Sequence, residues 1–377
     1  MAAIRPNPTL SEDLISEILV RVPVKSLICF QSVCKAWLSL IKHPAFVKSQ
    51  LRHAITVETD QTLIINRCKG VESECSSEQE IVLLDVDSRE IVADLRLPYS
   101  RGECNIRIVG SANGIVCFVD AVDFPKHETS IYLWNPAIRQ SKLIPSYSDE
   151  RLMGTWGFGY DPIDHDFKVV SIISPPFMSA HVYSANKNVW QKLSDPVDVR
   201  WNRDFDVCVK GFMCGFGTYG MMTFDLNKET LNSGIKLPAI FDDDEARITE
   251  FNNSVAVIIS RNELDVYKTD WRLDQKIYVW MLDDDTCLSG GGVEASWTPM
   301  FSIDLVTPSV VILGYFNKRD LLLLISSDDY VWISCNSDRK EVKAVPLSVD
   351  MASHHYTRDG YKYRETLVSL AGFKQVN

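Results

Sequence analysis

The sequence predicts a small all-α unit at residues 1–53 followed by an all-β domain at residues 54–377. Up to residue 53, apolar residues recur with a helical period. Beyond it they occur in short β-branched runs separated by turn residues. A strand–turn–strand unit recurs about every fifty residues, which is a spacing typical of propeller blades. We therefore predict a helical tip joined to a kelch-like β-propeller of about six blades.

The composition is that of a soluble globular protein, with 46% apolar and 24% charged residues. The formal charge of −11 argues against a general nucleic-acid or anionic-membrane binder, because both surfaces attract basic proteins. No apolar run is long enough to span a bilayer, and the first ten residues do not resemble a secretion signal. We expect a protein of the cytoplasm, the nucleus or both.

The ten cysteines are scattered and include no CxxC pair. Candidate pairs such as Cys29 with Cys34, and Cys208 with Cys214, are too widely spaced for a typical zinc site. We interpret the cysteines as buried thiols, and we predict no metal and no cofactor.

The first helix is predicted to begin at Ser11, which is a good N-cap, with Glu12 and Asp13 in the first turn. Its apolar residues are expected on one face of the helix: Leu14, Ile15, Ile18, Leu19 and Val22. Pro23 ends it. A second helical stretch runs from Leu27 to Ile41, with a possible bend near Phe30, and residues 44–51 can form a further short helix.

This helical unit is too small to be stable alone, yet it has about a dozen large apolar side chains. They require a partner, which is either the rest of the chain or another protein. The unit contains seven Lys and Arg (5, 21, 25, 35, 42, 48 and 52) and three acids (12, 13 and 17), giving +4 and leaving −15 for the remainder. A basic, apolar tip fits docking to an acidic partner.

Residues 10–51 resemble the F-box of plant F-box proteins, whose pattern is L-P-x-D-L-x-x-E-I-L-x-R-L-P-V-K-S-L-x-R-F-x-x-V-C-K-x-W-x-x-L-I. The matching positions are Asp13, Leu14, Glu17, Ile18, Leu19, Arg21, Pro23, Val24, Lys25, Ser26, Leu27, Phe30, Val33, Cys34, Lys35, Trp37, Leu40 and Ile41. Ser11 replaces the usual proline and Cys29 the usual arginine.

The resemblance implies that the helical unit binds the Skp-type adaptor of a cullin-based (SCF) ubiquitin ligase and, through it, the cullin and RING subunits. The residues expected to contact the adaptor are Leu10, Leu14, Ile18, Leu19, Pro23, Val24, Leu27, Val33 and Trp37. For Val33 and Trp37, packing inside the F-box or against the body is the alternative. A helical hairpin that only covers the body is the competing interpretation of the whole segment.

The repeat in the β domain begins at residues 84, 134, 183, 224, 279 and 332. Each copy is a strand that ends in a polar turn and leads into a short second strand. A closing strand at residues 363–370 is expected to pair with the first strand after residue 53, because a ring of sheets has to be closed by strand pairing to avoid an unpaired edge.

The body also resembles the F-box-associated domain of the same plant proteins. The pieces that support the resemblance are residues 110–117 (GSANGIVC), 133–139 (LWNPAIR), 157–162 (GFGYDP), 167–170 (FKVV) and 365–370 (ETLVSL). The chain lacks the clear double-glycine signatures of kelch repeats. We interpret these motifs as structural: Asn113-Gly114 suits a type I′ turn, and the strand tryptophans suit packing anchors.

Catalytic motifs are weak. Gly157-x-Gly159 leads into a strand, with no helix to receive a phosphate. Carboxylate runs at 161–166, 242–245 and 283–285 are better explained as solvated turns than as calcium sites. His354 and His355 are adjacent, so on a strand they point to opposite faces. We expect no catalytic residues, and the sequence indicates no titratable cluster around the central channel.

The first hypothesis is a non-enzymatic substrate receptor that brings a target protein's lysines near a conjugating enzyme. The alternatives are a propeller-type glycan-binding protein or enzyme with an incidental helical N-terminus, and an interaction protein that uses the F-box outside ubiquitin transfer. Loops between blades are expected to select an unidentified target: Pro175 to Ala180, Pro196 to Asp206, Phe241 to Ile248 and Asp283 to Glu294.

Overall fold

The computed structural model describes residues 10–375 except for short segments. Those segments are residues 58–61, 70–77, 87, 89, 96–105, 122–128, 146–153, 174–178, 194–203, 218–219, 239–244, 264–273, 291–293, 306–309, 318–319, 327–329, 337–340 and 346–353.

Four helices form the N-terminal layer. They are α1 (Glu12–Val20), α2 (Val24–Phe30), α3 (Lys35–Lys42) and α4 (Pro44–Thr56). The Ser11 hydroxyl accepts a hydrogen bond from the Leu14 N–H at 3.3 Å, which confirms the predicted N-cap. The predicted second stretch is two helices rather than one bent helix, and Cys34 accepts from the Trp37 N–H at the start of α3. The last helix continues beyond the predicted boundary at residue 53.

Twenty-five strands follow in the described part of the chain. They are β1 (Thr62–Lys69), β2 (Glu78–Asp85), β3 (Ile91–Leu95), β4 (Ile106–Ala112), β5 (Ile115–Ala121), β6 (Thr129–Asn135), β7 (Gln140–Leu143), β8 (Gly154–Asp161), β9 (Asp166–Ile173), β10 (Ser179–Ser184), β11 (Val189–Lys192), β12 (Val207–Val209), β13 (Phe212–Gly217), β14 (Gly220–Asp225), β15 (Thr230–Ile235), β16 (Glu245–Phe251), β17 (Ser254–Glu263), β18 (Asp274–Leu282), β19 (Trp297–Leu305), β20 (Val310–Asn317), β21 (Asp320–Ser326), β22 (Tyr330–Asn336), β23 (Glu341–Val345), β24 (His354–Tyr363) and β25 (Lys374–Gln375). A short 3₁₀ helix, Asp285–Ser289, precedes β19.

The described strands form six antiparallel sheets. Their strand orders are β24-β1-β2-β3, β25-β7-β6-β5-β4, β11-β10-β9-β8, β12-β13-β14-β15, β16-β17-β18-β19 and β20-β21-β22-β23. The inner strands β24, β4, β8, β12, β16 and β20 contact one another in sequence, and β20 returns to β24. This closed ring confirms the predicted propeller.

Each copy of the sequence repeat falls in a different sheet. The six repeat starts lie on β2, β6, β10, β14, β18 and β22, and each of these is the third strand outward from the ring's centre. The repeat detected in the sequence is therefore the outer half of each sheet. Large buried side chains, such as Trp156, Tyr183 and Phe118, pack these sheets.

Two polar turns of the repeat, those after β6 and β14, and the turn between β8 and β9 share one hydrogen-bonding pattern. A side-chain oxygen at the strand end accepts a backbone N–H two residues later: Asn135 from Ala137, Asp161 from Ile163, and Asp225 from Asn227. Two residues further on, the chain takes a positive φ at Arg139, His165 and Glu229. Asn and Asp favour such turns because their short side chains can mimic a backbone carbonyl.

The predicted closing strand was placed too late in the chain. Residues 354–363 form β24, which pairs with β1 and closes the ring. Residues 364–370 are not a strand. This segment, which we call the strap, crosses the turns at one end of sheet β4–β7, where Asn135 donates to the carbonyl oxygens of Thr366 at 3.0 Å and Val368 at 2.8 Å.

The hairpin between β4 and β5 is built to receive the strap. Asn113 and Gly114 have φ of 49° and 83°, as a type I′ turn requires. A side chain at Gly114 would bring its Cβ within 2.1 Å of the Thr366 hydroxyl oxygen. That hydroxyl donates to the Asn113 carbonyl oxygen at 2.8 Å. Both the positive φ of the turn and the close approach of the strap therefore require glycine at position 114.

Candidate functional site: the outer face of the helical layer

Helix α1 has apolar residues on two sides, whereas the sequence predicted a single apolar face. Ile15, Leu19 and Val22 turn inward and join the core of the helical layer. Leu14 and Ile18, one helical turn apart, turn outward and are 50% and 52% exposed. A helix that packs only against its own domain needs a single apolar side. The second apolar side of α1 therefore requires a separate explanation.

Five of the residues predicted to contact the adaptor have exposed side chains. We call them the outer face: Leu10, Leu14, Ile18, Pro23 and Val33. Leu10 is 58% exposed and Val33 is 62% exposed. Acidic Glu12, Asp13 and Glu17 also lie exposed on α1, while Arg21 at its end donates to the Glu17 carbonyl oxygen at 2.6 Å. Exposed apolar residues accompanied by charged residues are the composition of a protein interface.

Three of the predicted adaptor contacts lie in the interior instead. Leu19, Val24 and Leu27 are 3%, 2% and 0% exposed, and they pack in one cluster with Ile41. A side chain without accessible surface cannot contact another protein, so in this structure these three residues support the helical layer itself. The sequence could not separate them from the outer face because both sets occur at helical spacing.

Trp37 packs within the helical layer, which is the alternative to contact with the adaptor. Its ring is half-buried against the layer's core and lies 5.4 Å from the Phe30 ring, centroid to centroid. Val33 remains exposed. Of the nine predicted residues, five have exposed side chains and four lie inside or against the core.

The strap joins the helical layer to the ring. Leu367 is buried in the same cluster as Leu19 and Leu27, and its N–H donates to the buried Gln50 side-chain oxygen at 3.4 Å. Lys25 and Glu365 form an ion pair at 3.7 Å. The apolar side chains of the helical layer are therefore partly buried by the strap of the same chain. The side chains of the outer face remain exposed after this packing.

The inner strands hold a charged cluster that the sequence did not indicate. Arg107 and Asp204 lie 3.4 Å apart, and Arg247 and Asp206 lie 3.5 Å apart. Asp204 also accepts the Trp156 N–H at 2.7 Å. Burial raises the pKa of Asp204 to about 6, against the lowering influence of Arg107. Because these charges pair with one another, the cluster links four strands or strand ends of the ring.

The carboxylates considered as calcium ligands are structural where the structure describes them. Asp161 caps its turn and pairs with buried Lys168 at 3.4 Å, and Lys168 also contacts Glu229 at 2.9 Å. Asp166 accepts hydrogen bonds from Ser184 and from the Asn186 N–H. Among the described residues, no three His, Cys, Asp or Glu side chains are grouped so as to hold a metal ion.

The cysteines that the structure describes include both buried and exposed thiols. Cys117 and Cys214 are buried, and burial raises the pKa of each thiol. Burial likewise raises the pKa of Cys208 to about 12. Cys29 and Cys34 are exposed, so the prediction of buried thiols is wrong for these two. The Cys34 sulfur instead serves as the cap of α3.

Most of the predicted target-binding loops lie outside the described residues, as do the side chains of His354 and His355. Within the predicted loop at residues 283–294, Asp285–Ser289 forms the 3₁₀ helix. Over the described ranges, no helix is both long enough and apolar enough to cross a membrane.

A helical layer with exposed apolar residues, fastened to a closed β ring, defines a two-domain protein with a β-propeller. Two family models match the chain: the F-box domain at residues 8–49 and the F-box associated beta propeller domain at residues 61–288. The second match covers more than half of the chain. The chain belongs to the F-box proteins that have an F-box-associated propeller, as the sequence resemblance implied.

Similar proteins come from Arabidopsis thaliana. An F-box/kelch-repeat protein is 32% identical over 191 residues, which cover 48% of this chain and 50% of the relative. The F-box protein CPR1 is 22% identical over 370 residues, covering 88% of this chain and 83% of the relative. The chain thus spans about half the length of the first relative. Among solved structures, the dihydro-heme d1 dehydrogenase NirN has a TM-score of 0.39 and 11% identity over 81% of this chain and 76% of that chain.

Proposed function

We propose that this protein is the substrate receptor of an SCF-type ubiquitin ligase, and that its outer face binds the Skp-type adaptor. The observation that carries the proposal is the pair of exposed leucine and isoleucine side chains, Leu14 and Ile18, on a helix whose other apolar side is already buried. Exposed apolar groups in contiguous patches mark interaction sites on soluble proteins. Membership of the F-box family supports the choice of partner.

The proposed contribution to ubiquitin transfer is proximity and involves no catalytic residue in this chain. Through the adaptor, the cullin and RING subunits hold a conjugating enzyme, while the propeller binds a target protein. Holding both on one assembly raises the effective concentration of target lysines at the enzyme. The fixed packing of Leu367 against the helical layer supports this role, because it limits how the two ends move relative to each other. We place the protein in the cytoplasm, the nucleus or both.

The test is adaptor binding by full-length protein, with paired substitutions on the outer face. The double variant Leu14→Ser and Ile18→Ser should lose adaptor capture, with at least a hundredfold weaker affinity in a titration, because it removes two central apolar contacts. Ile163→Ser is the matched control: Ile163 is 69% exposed, but lies on the ring. It should bind adaptor like the unmodified protein.

Point variants are preferable to deletion of residues 1–53. Deletion would expose Leu367 and Ile138, which contact the helical layer, and so would disturb the ring as well. In cells, proximity labelling with degradation inhibited would identify candidate targets. A target should then accumulate when the outer-face variant replaces the unmodified protein. Normal adaptor binding by the outer-face variant would contradict the proposed surface.

A further inference from the structure

A cleft lies between the helical layer and the ring, on a part of the molecule separate from the outer face. Its volume is about 930 Å³. Helices α2, α3 and α4 form one wall; the other wall consists of turns of the ring and of the strap at Leu367 to Ser369. No residue of the outer face lines it. Small-molecule sites favour domain junctions and occupy roughly 300–1,000 Å³, so the cleft has a suitable size and place.

The floor of the cleft is apolar. The apolar residues lining it come from both domains: Ile28, Ile41, Pro44, Val47, Leu51, Ile55, Ile138, Tyr160, Phe167, Leu367 and Val368. Phe167 and Leu367 belong to the cores of the ring and of the helical layer, which fixes their positions. Such a floor is preformed, and binding an apolar group there would remove its surface from water at little cost in protein ordering.

The charged side chains that line the cleft are all of one sign among the described residues. Lys42, Lys48 and Arg52 line it, and no acidic residue is among the described residues that do so. This differs from the chain as a whole, which has 50 acidic and 39 basic residues. All three basic residues are exposed, and none takes part in the ion pairs formed by the described residues. A positive wall without internal counterions attracts an anion.

Further polar groups at the cleft complete its chemistry. The Tyr160 hydroxyl and His165 Nδ1 lie 3.0 Å apart on the ring wall, and the Ser369 hydroxyl bonds the Gln140 side chain at 2.6 Å. Arg52 and Lys48 lie on the same helix, four residues apart, so their side chains reach out on one face. A guanidinium group can hold a carboxylate, sulfonate or phosphate through two parallel hydrogen bonds.

We propose that this cleft binds an amphipathic organic anion, with its apolar body on the Phe167 and Leu367 floor and its acidic head group paired with Arg52 and Lys48. The ligand contacts both domains, so its binding stabilises their packing, and this stabilisation grows with the logarithm of ligand concentration above the dissociation constant. A free inorganic anion would leave the apolar floor uncovered, and a neutral apolar molecule would leave the basic wall unpaired.

The experiment uses two fluorescent probes with the same ring system and full-length protein. The probes are 1-anilinonaphthalene-8-sulfonate, which is an amphipathic anion, and N-phenyl-1-naphthylamine, which lacks the sulfonate. The sulfonate should bind saturably at one site and weaken as salt is raised, whereas the neutral probe should bind less tightly and show little salt dependence.

Variants assign the binding to the cleft. The double variant Arg52→Gln and Lys48→Gln should weaken sulfonate binding at least tenfold and leave the neutral probe unchanged; glutamine keeps the helix propensity similar. Ile55→Trp, which adds bulk at the cleft wall, should weaken both probes. Lys35→Gln is the control, because Lys35 is exposed on α3 and does not line the cleft. Circular dichroism and thermal melting should confirm that each variant is folded.

Two results would overturn the proposal. One is loss of sulfonate binding in the outer-face variant Leu14→Ser and Ile18→Ser but not in the cleft variants, since the dye would then report exposed apolar surface. The other is equal loss of both probes in the Arg52 and Lys48 double variant, since charge would then have no specific role. Adaptor binding is measured separately, so neither outcome depends on the ligase proposal.

Discussion

The two sides of the helical layer contain similar apolar residues, but those on the inner side are buried and those on the outer side are exposed. On the inner side, Leu19 and Leu27 are buried with Leu367 of the strap; on the outer side, Leu14 and Ile18 are about half exposed. The layer thus acquires much of its stability from its own ring. The outer face is therefore not needed to complete the fold, and it remains available for a partner. Four substitutions can break or sharpen this comparison.

The largest effect is expected from Leu27→Ala on the inner side. Leu27 is fully buried, so removing its side chain should lower the free energy of unfolding of the helical layer by about 2–5 kcal/mol. Leu14→Ala on the outer side should change it by no more than about 0.5 kcal/mol. Urea unfolding followed by the helical signal in circular dichroism measures both. Equal losses would mean that the outer face also supports the fold.

Asp204→Asn examines the charges inside the ring. Its pKa in the folded protein, about 6, lies above the ordinary 3.8, so the folded state binds the proton more tightly than the unfolded state does. The stabilisation of the folded state by this tighter proton binding is fully present below about pH 4, falls as pH rises, and is lost above about pH 6. A difference of two pKa units corresponds to at most about 3 kcal/mol.

Asn cannot ionise, so the variant should have a flatter stability profile between about pH 4 and pH 6. Thermal melting across this window measures it. Asp304→Asn, at a carboxylate that is 83% exposed, is the control and should keep the profile of the unmodified protein. An unchanged slope in Asp204→Asn would show that another group titrates there.

Asn135→Ala should loosen the strap at the junction of the two domains. The buried Asn135 amide donates to two carbonyl oxygens of the strap, so its loss leaves those groups unpaired and costs about 2 kcal/mol. Hydrogen exchange of residues 364–370 should accelerate together with that of α4. Ser369→Ala, which removes one exposed hydrogen bond, should have a smaller effect. Accelerated exchange in the strap alone would show that it does not hold the helical layer.

The smallest effect is expected from Lys25→Gln. Its ion pair with Glu365 spans 3.7 Å, and the Lys25 side chain is 75% exposed, so solvent and salt screen the attraction. The loss should be below about 0.5 kcal/mol and vanish at high salt, as measured by thermal melting. A loss comparable to that of Leu27→Ala would mean that charge, rather than apolar packing, fixes the helical layer to the ring.

The sequence was most informative where structure is local. Ser11 predicted the start of α1, Asn113-Gly114 predicted a hairpin turn with two positive φ angles, and the repeated strand ends predicted one position in each of the six sheets. Each of these depends on residues a few positions apart. It was least informative at the outer face, where the periodic pattern of α1 did not distinguish Leu14 from Ile15.

The amino-acid pattern by itself determined that a helical tip precedes a ring of strands, because propensity, turn chemistry and period act over short stretches of chain. The tertiary structure alone decided which apolar side of α1 is buried, that residues 364–370 become a strap, and that Arg107 meets Asp204. These contacts join groups far apart in sequence, such as Asn135 and Thr366, 231 positions apart. Only the closed ring brings such groups within hydrogen-bonding distance, and no local pattern encodes that encounter.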